Sequence, residues 1–151
     1  MRKVFRFALM LQALLWFSVT DTAAEGQKEV KFHAVLLWGT NGEKPKDQEL
    51  KDVDPRFEDK LKKILKWANY YEVSRTFFSI KVGEKKGFIA LSKQCEIVVF
   101  YPENAGFEVE LIGEGKSLVK TKQSMPLKEP LVVAGDAKNE TAWVLVIKSQ
   151  E

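Results

Sequence analysis

One stretch of this chain, Asp54 to Tyr71 (DPRFEDKLKKILKWANYY), has a helical period, whereas the apolar segments on either side of it alternate residue by residue. Asp54 can cap the first free amides, and Pro55 suits the first helical position, where its missing N–H costs nothing. At 100° per residue, Phe57, Leu61, Ile64, Leu65, Ala68 and Tyr71 form one stripe with Trp67 at its margin, and Lys62, Lys63 and Lys66 point away. Glu58 precedes Lys62 by four residues, and Asp59 precedes Lys63 by four. Each such pair contributes only about 0.2 to 0.5 kcal/mol, so packing of the stripe decides whether the helix forms.

The alternating segments supply the surface for that packing. Val30 to Trp38 places Val30, Phe32, Ala34, Leu36 and Trp38 on one face and ends as a continuous apolar run. Glu43 to Val53 is charged and reads as an exposed loop leading to the helix cap. After Glu72 the period is two: Phe78, Ile80 and Val82 oppose Arg75, Phe77, Ser79 and Lys81. Further strand patterns cover Gly87 to Leu91, Cys95 to Tyr101, Phe107 to Ile112, Ser117 to Lys122, Leu131 to Ala134 and Ala142 to Ile147, with Gly113 and Gly115 at a hairpin. The fold expected is mainly β with one amphipathic helix (α+β), an antiparallel β-sandwich or partly closed barrel of about 7–8 short strands.

Residues 1–24 read as a cleaved signal peptide, leaving 25–151 as a single exported domain. Arg2, Lys3 and Arg6 precede an apolar run from Phe7 to Val19, which ends near the small residues Thr22, Ala23 and Ala24. That run is shorter than the roughly 20 residues of a spanning helix, so no stable membrane insertion is expected after cleavage. The whole chain carries 24 Lys+Arg against 21 Asp+Glu. Three of the bases and one acid fall in the first 24 residues, so the remainder is close to neutral and lacks the basic field a nucleic-acid partner requires.

Candidate chemistry is sparse. The one cysteine, Cys95, excludes an internal disulfide framework, and it shares a strand face with Ile97, Val99 and Tyr101, as a buried thiol would. The one histidine, His33, would need a nucleophile beside it. Cys95 is the sole thiol, and no serine occupies a G-x-S-x-G turn. One His and one Cys make a zinc site improbable, no glycine-rich phosphate loop occurs, and no cofactor is expected. Glu108 and Glu110 alternate with apolar residues, as solvated strand positions do. Asn139-Glu140-Thr141 matches the N-glycosylation acceptor pattern in a loop. Trp67 and Tyr70 at the helix end, with Trp38 at the end of the first strand, make a candidate aromatic contact patch.

The run LKKILKWANYYEVSRTFFSIKVGEKKGFIALSKQCEIVVF, followed by FEVELIGEGKSLVKTKQ, PLVVAGD and the last strand WVLVI, resembles small exported bacterial proteins of unknown function. In these a helix leads through an aromatic strand entry into a compact β domain. The closing segments are also loosely similar to β segments of bacterial secretin-type envelope proteins, although no long pore-lining segment is present. This resemblance implies an envelope or extracellular role and supplies no functional residues. The expectation is a non-enzymatic exported domain that interacts with another envelope protein or assembles. The alternative is a small-ligand-binding or chaperone-like module, and a Cys95-dependent hydrolase or redox protein is a third.

Overall fold

A computed structural model describes residues 28–46, 48–103, 106–125 and 127–150. Residues 1–24, expected to be a signal peptide, lie outside the described residues. Among them the chain forms β1 (Glu29–Thr40), β2 (Lys51–Asp52), α1 (Pro55–Ile64), β3 (Asn69–Lys81), β4 (Lys85–Ala90), β5 (Cys95–Phe100), β6 (Phe107–Gly113), β7 (Lys116–Gln123), β8 (Leu131–Asp136) and β9 (Ala142–Gln150). The nine strands make two open antiparallel sheets, ordered β2-β3-β1-β9-β8 and β4-β5-β6-β7. Two sheets replace the partly closed barrel, and nine strands replace the expected seven or eight. One addition is β2, a two-residue pairing with Glu72 and Tyr71 inside the charged loop.

The two sheets share one apolar interior. Phe32, Ala34 and Leu36 of β1, Phe78 and Ile80 of β3, and Leu145 and Ile147 of β9 meet Cys95, Ile97 and Val99 of β5 and Phe107, Val109 and Leu111 of β6. At its centre the Phe32 ring stacks on Phe78 (5.2 Å between centroids) and on Phe107 of the other sheet (4.5 Å). The alternation read along β1, β3, β5 and β6 therefore assigns the inward residues correctly. The β6–β7 hairpin turns on Glu114 and Gly115, both with positive φ (49° and 75°), the geometry whose twist matches paired strands.

The five-stranded sheet is also covered on its outer face. Leu37, Tyr70, Ala142, Val144 and Val146 project there, and Leu61 of α1 packs on them, with Phe57 and Leu65 partly buried alongside. The Asp54 carboxylate accepts from the amides of Arg56 (2.9 Å) and Phe57 (3.3 Å), as its capping position requires. The helix is shorter than its sequence period: Leu65 is extended, and β3 begins at Asn69. Asn69, Tyr70 and Tyr71 pair with Thr40, Gly39 and Trp38, so a ladder to β1 takes residues that a helix would have used. Ile64, expected in the buried stripe, is 63% exposed because the helix stops at that residue.

Candidate functional site

The expected aromatic patch does not exist as a surface. Trp67 and Tyr70 are buried, 6% and 1% exposed. Both rings lie over Gly39, where an added Cβ would come within 3.3 Å of each. The Trp67 indole N–H donates to the Glu140 carbonyl at 3.1 Å, tying the α1–β3 connection to the β8–β9 turn. Trp38 is half-buried on the opposite face of the sheet, in a cross-strand row between Tyr71 and Trp143. The three residues cannot form one contact site because the strand period sends them to two faces.

Cys95 and His33 are likewise separated. Cys95 is 2% exposed in the interior between the sheets, whereas His33 projects from the outer face of β1. Burial pushes the Cys95 thiol up to about 12, with the Glu96 carboxylate adding to the effect, so it is protonated at neutral pH. Iodoacetamide is expected to modify Cys95 fully only after denaturation. Rapid alkylation of the folded protein would contradict this placement. Asn139 is exposed in the turn before β9, and the Thr141 hydroxyl donates to the Lys138 carbonyl at 2.6 Å. No group of three His, Cys, Asp or Glu side chains among the described residues is placed to hold a metal.

The site that does form lies where α1 leaves the outer face of the five-stranded sheet uncovered. Three cross-strand rows supply its floor, in which every residue but Phe77 and Val144 lines the cleft. Phe77, His33 and Lys148 are in register across β3, β1 and β9, followed by Arg75, Val35 and Val146, then Glu72, Leu37 and Val144. The helix covers the third row, and Phe57 with Val53 and Asp54 forms a wall beside the second. The result is a cleft of about 260 Å³.

A β-bulge creates its polar side. Leu36 and Leu37 are consecutive in β1 but pair with Ser74 and Glu72, leaving Val73 as an extra residue in β3. In a regular strand residues three apart face opposite ways; the bulge puts Glu72 and Arg75 on the same face. The guanidinium then grips the carboxylate with two bonds, Nε to Oε1 at 2.6 Å and Nη2 to Oε2 at 2.7 Å. Hydrogen bonding to Arg75 holds the Glu72 carboxyl below the usual carboxylate range despite its burial. His33 stacks on Phe77, with ring centroids 4.6 Å apart and planes at 8°. Its Nε2 is buried and has no hydrogen-bond partner among the described residues. Burial lowers the His33 pKa, and the positive charges of Arg75 and Lys148 lower it further, outweighing Glu72. The neutral imidazole therefore prevails at pH 7.

Glu72, Arg75, Lys148 and Phe57 had no signal in the sequence as a set. Their convergence depends on the bulge and on strand order, neither of which period-two patterning encodes. Comparison with protein-family models, with characterised proteins and with solved structures returns no match. The class defined by fold and site is thus a two-sheet antiparallel β domain with one helix edging a cleft on its outer sheet face.

Proposed function

We propose that this β-sandwich is a non-enzymatic exported binding domain, and that it binds through the cleft between α1 and the outer face of the five-stranded sheet. The observation that carries the proposal is the convergence of His33, Arg75, Glu72 and Lys148 on an apolar floor of Val35, Leu37 and Val146. Apolar concavities with a few fixed polar groups are what small-molecule sites are built from. Export rests on the signal-like residues 1–24 and on the resemblance to small exported bacterial proteins. No helix among the described residues is long and apolar enough to cross a membrane.

A protein partner in the cell envelope is the second reading. It is favoured by Phe77, a large apolar side chain that is 64% exposed and stacks on His33 of the cleft. Both readings place recognition on one face.

The test is a screen of small organic molecules against the purified protein, read by amide chemical shifts. Compounds that move the His33, Val35, Arg75 and Val146 signals support the cleft. Compounds that move only residues of β4 to β7, or no compound moving any of these signals, would overturn it.

A further inference from the structure

We propose that the cleft selects a small amphipathic organic anion, its apolar body on Val35, Leu37 and Val146 beside Phe57 and its charged end at Lys148. The inference rests on the cleft being the binding site and adds the chemical class of what it holds.

Three carboxylates and two cations line the cleft, and their pairing rather than their sum points to an anion. Each carboxylate is already engaged. Glu72 is chelated by Arg75, Asp52 pairs with Lys44 at 3.0 Å, and Asp54 accepts two amides at the start of α1. Lys148 is different. Among the described residues it makes no ion pair, and its ammonium stands 6.0 Å from the centre of the Phe57 ring. Arg75 spends Nε and Nη2 on Glu72, leaving Nη1 without a carboxylate partner among the described residues. The field at His33 agrees, because Arg75 and Lys148 together act on the imidazole more strongly than Glu72 does. A negative charge entering here meets an unmatched cation. A positive one is repelled by the same cation.

Size and polarity narrow the class. At about 260 Å³ the cleft lies just under the roughly 300–1,000 Å³ of typical ligand pockets, which suits a small molecule. The floor is aliphatic, and Phe57 offers one aromatic wall, so the body of the ligand is apolar and its polar end faces the His33–Lys148 row.

Octanoate, 1-octanol and octylamine test this directly, since they share a chain and differ in charge. Octanoate is expected to bind with a Kd of roughly 1 mM or tighter, as small ligands of this size allow, and to shift the His33, Val35 and Val146 amides. Octanol should bind at least about fivefold more weakly, and octylamine more weakly still. Lys148→Met keeps the aliphatic stem at an exposed position, so its melting temperature should stay unchanged while the preference for octanoate over octanol is lost. Equal binding of octanoate and octanol at these residues, or tighter binding of octylamine, would overturn the anion class and leave the cleft standing. Absence of any shift at these residues with all three compounds would overturn the cleft as well.

Discussion

Phe32→Ala is expected to lower stability by about 3 to 5 kcal/mol, the largest effect of any apolar truncation in this protein. The side chain has no exposed surface and is stacked between Phe78 of its own sheet and Phe107 of the other. Its removal empties the point where the two sheets meet, and the flanking rings belong to separate sheets that cannot close the gap without moving as bodies. Urea denaturation is the measurement. A loss below about 1 kcal/mol would contradict a single interior shared by the sheets. Phe77→Ala is the control, one residue before Phe78 but 64% exposed on the other face, and its cost should be within about 1 kcal/mol.

Leu61→Asp acts on the other apolar layer. Leu61 is the fully buried residue of α1, packed among Leu37, Trp67, Tyr70 and Val144. An aspartate there would leave a carboxylate in an apolar setting without a partner, a change expected to cost more than about 4 kcal/mol. Intrinsic terms cannot offset that. The observed Glu58–Lys62 pair at 3.1 Å and the Asp54 cap together contribute roughly 1 to 2 kcal/mol. The protein should aggregate, or melt at least about 10 °C lower. A thermal melt unchanged from the parent chain would refute the docking of α1 on the sheet.

The two layers differ in how well the sequence announces them. Phe32, Phe78, Ile97, Val99, Val109 and Leu111 are legible because a strand with one buried face must alternate, and their neighbours do. The start of α1 is equally legible, since Asp54 and Pro55 leave little choice. Its end is not. The helical stripe continues to Tyr71, yet the β1 ladder claims Asn69 to Tyr71, because pairing along Trp38 to Thr40 is a long-range contact that local periodicity does not register. That single displacement turned Trp67 and Tyr70 from a surface into a core. Strand order was illegible for the same reason, and with it the meeting of Lys148 with His33 and Arg75, which are 115 and 73 positions before it in the chain. The bulge at Val73 has no glycine to mark it, so the shared face of Glu72 and Arg75 emerges only in three dimensions.

The chain has one histidine, so one imidazole resonance reports on the cleft without assignment. Following that proton signal against pH in the untagged protein, with and without octanoate, tests the central claim most directly. Arg75, Lys148 and Glu72 face His33 across β3 and β9, and Asp52 and Asp54 line the same cleft from the α1 side. The expected midpoint in the free protein lies below the ordinary value of 6.5, because burial and the two cations disfavour the charged ring. Bound octanoate should move it upward, since a negative charge beside the imidazole favours its protonation, and octanol should not. A midpoint at or above 6.5 in the free protein, unmoved by octanoate, would contradict both the enclosed position of His33 and the anion-binding cleft.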